Sequence, residues 1–461
     1  MPVKNKPINR RRFLGLSASA AAMLALPNRT VGARELSPNS KLDVAFIGMG
    51  SQIQGHVQKT AHEGHNVVAL CDVDENQIAQ TKERHGDSVS KAAAYSDYRK
   101  LFENESSFDA VVIATPDHWH APIIKRALEA QKHVYCEKPL THTIAEARMI
   151  RELSRESKVV TQMGNQGSST SGLRRSMELI EAGLFGNISQ VHMWHPTHNW
   201  PSGVNRPIDA NPIPDGLDWD FWCGPAPLRP YNDEIYHPMK WRGWYDFGNG
   251  SLGDFCCHAF NLPARALKLD YPNRIEISGE GLGFESFTTA STTRLYFPAK
   301  DKRGPVVLNF YTGTDLPPKE LYDLATNSYG GEQGTGCILV GDKGLLWSGL
   351  WNSECYVKLN DEEHFVAHKE HEAVQEIPQT LPRLEGHMNE AHIKEWIDAI
   401  LTGSKTYSDF DRGGHLTELG LAGIVALKLQ KNIEWNGPNM KVVGMPEADI
   451  LIDKQNRTKW L

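Results

Sequence analysis

Three residues of this 461-residue chain have side chains suited to moving a proton and a hydride on a small molecule. Asp254 and His258 are four positions apart, so on a helix they share one face. A histidine titrates near neutral pH and can take the proton of a hydroxyl, while a neighbouring carboxylate orients it or binds a second hydroxyl. Lys138 follows the apolar run that starts at His133, within Glu137-Lys138-Pro139-Leu140. A lysine held at a strand end can hydrogen-bond a substrate hydroxyl and polarise the carbonyl that forms as hydride leaves. Each residue also has an ordinary reading: Lys138 as a surface cation, Asp254 as a helix N-cap, His258 as a satisfied core histidine. The chemistry requires the three to meet.

A hydride acceptor is suggested near the start of the folded part. Gly48-Met49-Gly50 sits where a first strand, 42–47, should turn into a helix opened by Ser51, Gln52 and Ile53. The first glycine allows a tight turn, and the second lets a pyrophosphate approach the N–H groups of a helix N-terminus. The third fingerprint position is Ile53, with Gly55 two residues later, so the glycine pattern is incomplete. Asp72 lies 22 residues past Gly50, at the end of the second apolar run. A carboxylate there can hold the adenosine ribose hydroxyls and repels a 2′-phosphate, which favours NAD over NADP. Asp72 could equally cap the following helix, and the two roles are compatible.

These residues need a scaffold, and the hydrophobic pattern supplies one. Apolar runs at 42–47, 67–71, 110–114, 133–136 and 159–163 alternate with helical stretches near 75–86, 121–131 and 143–157. Runs of this kind suit parallel strands buried on both faces, joined by right-handed βαβ units. The expected fold is therefore α/β, a Rossmann-type doubly wound parallel sheet over residues 41–163. Residues 164–461 read as a second domain with a second sheet. Its β-like runs are 274–278, 292–297 and 306–311. Helical periodicity returns over 387–431, with Ile393, Trp396, Ile397 and Ile400 on one face.

Ala114-Thr-Pro-Asp-His-Trp-His120, followed by Glu137-Lys138-Pro139 and then Asp254-Phe-Cys-Cys-His258, resembles the glucose–fructose oxidoreductase/inositol dehydrogenase (Gfo/Idh/MocA) family. That family carries T-P-x-x-x-H, E-K-P and D-x-x-x-H elements in this order. The resemblance implies NAD as cofactor, a carbohydrate substrate, and Lys138, Asp254 and His258 as the catalytic trio. It also implies that Thr115, Asp117, His118, His120, Glu137 and Lys138 line the nicotinamide or ribose, and that residues 164–461 form an α+β domain with an open, mostly antiparallel sheet for substrate binding and oligomerisation. Asn165 and Gln166, just past the 159–163 strand, are expected to touch the cofactor too. The His118-x-His120 spacing could suggest a metal, but no third ligand cluster accompanies it and no metal is expected.

Six tryptophans fall within about 50 residues (Trp194, Trp200, Trp219, Trp222, Trp241 and Trp244). They can fill a core or stack on pyranose rings; Trp241, Arg242 and Tyr245 are the substrate contacts expected among them and their polar neighbours.

Apolar residues at 40% and charged residues at 23% describe a globular chain. Residues 1–33 hold six bases and no acid; the remainder carries 43 bases against 56 acids, a balance of −13 that excludes nucleic acid as an expected partner. Within that segment, Arg10-Arg11-Arg12-Phe13-Leu14 precedes an apolar run and Val31-Gly32-Ala33, resembling a twin-arginine signal peptide over 1–33, with a linker at 34–40. The run is too short to span a membrane. Such a signal would send a folded, cofactor-loaded protein to the periplasm. The seven cysteines form an odd set without a C-x-x-C pair, so no disulfide framework is expected.

Little free NAD is expected outside the inner membrane. The first reading is therefore an exported oxidoreductase acting on a ring hydroxyl of a sugar or glycoside with a tightly held cofactor. The second is a redox-neutral NAD-dependent glycosidase: oxidation, elimination, water addition, re-reduction. A homo-oligomer, dimer or tetramer, is expected from the family resemblance.

Overall fold

The computed structural model describes residues 37–454 and Arg457, apart from 38, 106, 197–198 and 329–333. The signal expected over 1–33 lies outside the described residues, and both sheets belong to the compact unit Leu36–Leu461.

Six parallel strands form the first sheet: β1 (Asp43–Ile47), β2 (Asn66–Cys71), β3 (Ala93–Tyr95), β4 (Ala110–Ile113), β5 (His133–Glu137) and β6 (Thr161–Gly164). Their order, β3-β2-β1-β4-β5-β6, is that of a Rossmann sheet. All four residues of β4 are buried, which is why the strand reads as an unbroken apolar run. The helices of this part include α1 (Ile53–His62), α2 (Glu75–His85), α3 (Asp117–Glu129) and α4 (Ile144–Glu156). The cap of α2 is Asp74, which accepts from the Asn76 N–H at 3.0 Å. That frees Asp72, two residues earlier, from the capping role. A reciprocal pair of side-chain bonds between Thr143 and Glu146 starts α4.

The second sheet has ten strands: β7 (Ile188–His195), β8 (Arg274–Glu280), β9 (Ala290–Phe297), β10 (Val306–Thr312), β11 (Gly336–Gly341), β12 (Gly344–Trp347), β13 (Tyr356–Leu359), β14 (Val366–Ala367), β15 (Ile433–Asn436) and β16 (Lys441–Val442). Only β7 and β10 pair in parallel; the other neighbours are antiparallel. The expected α/β class, with a parallel sheet followed by a mostly antiparallel one, is what the chain forms.

Three helices join the sheets. These are α5 (Gly250–Ala259), α6 (Met388–Thr402) and α7 (Phe410–Leu429). The predicted helical stretch 387–431 is thus two helices, broken where Gly403 takes a left-handed φ of 69°. Ile393, Trp396, Ile397 and Ile400 of α6 bury their shared face against Val44, Phe46, Val57 and Leu70. The first sheet is therefore completed by a helix from the far end of the sequence. α7 is tied to α4 through Glu418, which receives Arg148 and Arg151 at 2.7 and 2.6 Å. On its other side Gly420 lies so close to α5 that a Cβ there would stand 2.2 Å from the Cys256 sulfur. α5 is in this way seated at a fixed distance from the β5 and β6 edge, and it carries Asp254 and His258.

Candidate active site

A cleft of about 820 Å³ runs along the carboxyl edge of the first sheet, lined by Gly48, Gly50, Ser51, Gln52, Asp72, Thr115, Trp241 and Arg242 among others. Gly48 turns β1 into it with φ +88°, where a Cβ would meet the Ala114 and Thr115 backbone at 2.7 Å. The space over Gly50 is open. No side chain caps the N-terminus of α1 and no acid stands in its first turn. Its N–H groups are thus available to a pyrophosphate. Ile53 is fully buried, so it serves the helix-to-sheet packing and only its backbone can meet a ligand.

At one end of the cleft, Asp72 accepts from the backbone N–H groups of Met49 and Asp74 at 2.6 and 2.9 Å. Burial raises its carboxyl to about 6 against the opposing pull of those two bonds. Over this end lies a segment from the second half of the chain. Asp218 N–H donates to Val73 O and Glu75 N–H to Gly216 O, both at 2.9 Å. His237 pairs with Asp74 at 2.9 Å. Phe221, Trp222, Pro238 and Met239 then form part of the cleft wall. His237 has no sequence signature; its partner is 163 residues away.

Arg242, on the cleft wall, leads to the three residues singled out for chemistry, which interact with one another. Lys138 Nζ is 2.9 Å from Asp254 Oδ1, with Arg242 Nε 3.5 Å from the same oxygen. Burial works against charge on Asp254, but the ammonium and the guanidinium hold its carboxyl below the usual range. The Lys138 ammonium also stands 5.4 Å from the Phe255 ring. His258 Nδ1 is buried without a partner. Burial, reinforced by the Lys138 charge, lowers His258 to about 3, so its ring is neutral. Phe255 stacks on His195 at 3.8 Å, and Trp351 stands 6.0 Å from Phe255 and 6.1 Å from His258. These three aromatic rings were not singled out by sequence.

Glu137 is an acceptor beneath this site. Its Oε1 receives His56 at 2.7 Å, Gln166 at 3.1 Å and Gln52 at 3.2 Å. Burial would raise it, but these bonds and the neighbouring charges hold it near 2. Gln166 thus sits against Glu137, while Gln52 both bonds Glu137 and lines the cleft. Asn165 donates to Cys257 O at 3.2 Å and leaves its own Oδ1 unpartnered. Thr115 Oγ1 is likewise buried and unpartnered. Open space over Gly50, an uncapped helix start, the Asp72 carboxylate bordering the cleft and the buried, unpartnered Thr115 hydroxyl together fit a dinucleotide.

Four expected contacts fall elsewhere. His118 sets its ring nitrogens against Phe247 O and Trp222 O, and His120 against Pro139 O and Thr115 O. Burial lowers both rings, His118 to about 4. They hold loops together and present no nitrogen to the cleft. Asp117 is buried, accepts from Asn249 at 2.9 Å, and is pushed well up by burial and by Asp254. It stands behind the site and does not line the cleft. Tyr245 packs on Phe287 at 3.9 Å and lines a different cavity. Nor do the tryptophans form a sugar platform: Trp219, Trp222, Trp241 and Trp244 share one buried cluster, and Trp194 belongs to another. Of that region, Trp241 and Arg242 do border the cleft, with the guanidinium 4.2 Å from the Trp241 ring. Among the described residues no group of three or more His, Cys, Asp or Glu could hold a metal ion, and no helix is long and apolar enough to cross a membrane.

Residues 42–165 match the model of the GFO_IDH_MocA oxidoreductase family, NAD-binding Rossmann fold, and residues 173–281 match that family's C-terminal alpha/beta domain. The chain is 30% identical over 205 residues to an alpha-N-acetylgalactosaminidase of Shewanella oneidensis, covering 39% of this chain and 44% of the relative. It is 29% identical over 157 residues to an inositol 2-dehydrogenase of Salmonella paratyphi B, covering 33% and 46%. Each match spans less than half of the curated relative. A levoglucosan dehydrogenase solved with NADH has the same fold, at TM-score 0.58 and 18% identity over 85% of this chain and 98% of that one.

Proposed function

The chain belongs to the GFO_IDH_MocA oxidoreductase family, and from that premise we propose that it oxidises a ring hydroxyl of a sugar or glycoside at the Lys138–Asp254–His258 site. NAD held in the cleft supplies the hydride acceptor. Lys138 donates to the substrate oxygen and stabilises the negative charge that grows there, a contribution largest in a water-poor site. His258, neutral and with its Nδ1 unpartnered, accepts the hydroxyl proton. Asp254 fixes the ammonium and offers its second oxygen to an adjacent hydroxyl. Phe255, Trp351 and His195 give the aromatic faces that a pyranose ring requires. The observation carrying this reading is the 2.9 Å contact between Lys138 and Asp254 one helical turn from an unpartnered His258.

The test is a panel of free sugars and glycosides incubated with the purified protein. Keto products by mass spectrometry, with absorbance growing near 340 nm, support oxidation. The alpha-N-acetylgalactosaminidase relative favours a second reading, redox-neutral cleavage of a glycoside. It should release an aglycone and a reducing sugar with no lasting absorbance change. A panel that yields neither product rejects both.

The proposal includes a retained cofactor, a twin-arginine route to the periplasm for the 1–33 segment, and self-association as a dimer or tetramer. Residues 215–242, docked on Val73, Asp74 and Glu75, are the retaining element. His237→Ala is expected to speed NAD release by on the order of tenfold, about 1.4 kcal/mol. Stopped-flow exchange of NAD against a competitor measures it, and an unchanged off-rate removes the retaining role. Light scattering of the purified protein reads the self-association, and fractionation of cells making the full chain reads the route.

Asp72 gives a pH-dependent result. Its carboxyl offers ribose hydroxyls a charged acceptor on both oxygens only when ionised, and in the fold it protonates near 6. NAD affinity should therefore fall as the pH drops through about 6. Asp72→Ala should weaken NAD at pH 7.5 and abolish that pH dependence, while NADP is affected less. Equal losses for both dinucleotides would count against the ribose assignment.

A further inference from the structure

Beside the N-terminal end of α5, at Gly248 and Asn249, lies a second cavity of about 900 Å³, sharing none of the first one's lining residues. Its walls differ in chemistry. One is aliphatic, from Ile144 on α4, Leu421, Ile424 and Val425 on α7, and Leu451. Ile450, 62% exposed, marks the mouth. The other wall carries Lys428 and Lys454.

Charges around these lysines do not balance. Asp246 is the nearest acid; one oxygen takes Lys454 at 2.9 Å and the other takes Arg229. Glu146 turns to the backbone N–H groups of His142 and Thr143 at 3.1 and 2.9 Å. His142 is kept neutral, well below its ordinary value, chiefly by burial. Burial also pushes the Tyr245 hydroxyl up, so it carries no charge. Among the described residues no carboxylate pairs with Lys428, whose ammonium has only the Tyr245 ring face, 4.7 Å to its centroid. Burial and the nearby Lys454 lower it to about 8, the mark of a cation lacking a counter-ion.

We propose that this cavity binds a small aliphatic carboxylate, its anionic end on Lys428 and its chain along the aliphatic wall. A carboxylate there completes a charge-assisted hydrogen bond in a water-poor place, and burial of the chain adds the apolar contribution. Neither half alone explains the lining, since a bare inorganic anion leaves the aliphatic wall uncovered and a neutral hydrocarbon leaves the ammonium unpaired. The site connects to the region behind the catalytic residues through Asn249, whose amide donates to Asp117, and through His142, whose ring lies 6.5 Å from that of His118.

Titration calorimetry of the full chain with three probes tests this. Hexanoate has both parts, hexanol only the chain and acetate only the charge. Hexanoate is expected to bind at least tenfold more tightly than either. Lys428→Met should erase its preference over hexanol, and Leu451→Trp should displace hexanoate by filling the cavity. NAD binding, read in the same preparations, verifies that both variants are folded. Hexanoate binding no tighter than hexanol, or equal in wild type and Lys428→Met, overturns the proposal.

Discussion

Lys138→Ala is expected to slow hydride transfer by on the order of 10³-fold while NAD remains bound. The ammonium contacts Asp254 and the Phe255 ring, at the end proposed for the nicotinamide, whereas the end proposed for the adenosine is built from Asp72 and the glycine turn. Its loss therefore removes charge stabilisation at the reacting oxygen without removing a dinucleotide contact. It also changes its neighbours. Lys138 is the foremost charge holding Asp254 low and, after burial, the foremost influence depressing His258. In the variant both should titrate higher, and His258 should move back from about 3 toward its ordinary value. A single-turnover experiment at saturating NAD, followed near 340 nm across pH 4 to 9, separates the effects. The expected outcome is a low rate at every pH together with an acid limb displaced upward. Wild-type turnover would end the role assigned to Lys138. Loss of activity that tracks loss of bound NAD would reassign it to the cofactor. Lys138→Arg should not restore the rate, because a planar guanidinium does not place a single donor where the ammonium stood.

The parts of this site that the sequence made legible are those written by local pattern. Strands buried on both faces must be apolar throughout, so β1, β2, β4 and β5 could be read, and with them the loops at each carboxyl end. The i, i+4 spacing put Asp254 and His258 on one helix face without any tertiary knowledge. What stayed hidden depends on distant partners. His56 reaches Glu137 across 81 residues, and Gln166 reaches it across 29. His118 and His120 have a spacing that looks chemical, yet their nitrogens face backbone carbonyls up to 129 residues away. The second sheet was harder for a different reason. β9, Ala-Ser-Thr-Thr-Arg-Leu-Tyr-Phe, buries six of its eight residues, so the alternation that marks a one-sided strand is blurred. β14 and β16 have two residues each, too few for any period. The apolar face of α6 was visible, but nothing local reveals that its target is the first sheet.

Glu137→Ala is expected to cost the largest share of stability of any single change near the site, about 3–5 kcal/mol. The carboxylate is 5% exposed and accepts from four side chains, so alanine leaves His56, Gln52, Gln166 and Tyr135 without that acceptor. It also leaves a void against Gly164, whose missing Cβ makes the room that the carboxylate fills. Part of the effect is ionic and has a defined sign. The folded value is about 2 against an unfolded 4.5. Stability from the charged form is therefore fully present above 4.5 and is lost as the pH falls through about 2. The separation corresponds to on the order of 3 kcal/mol. Glu137→Gln keeps the shape and one carbonyl acceptor but cannot carry the charge, so it should lose less than alanine at pH 7. Its denaturant midpoint should also depend less on pH below 5 than that of the wild type. Urea unfolding at pH 7, 5 and 3.5 for the three proteins supplies the comparison. Identical midpoints for wild type and alanine would mean that the buried bonds are matched by water on unfolding. Because Lys138 is the next residue, any destabilisation should be accompanied by a lower rate of hydride transfer even where NAD is saturating. The hydrogen-bonded floor beneath Glu137 and the reacting ammonium above it are consecutive in the chain, so one cannot loosen without displacing the other.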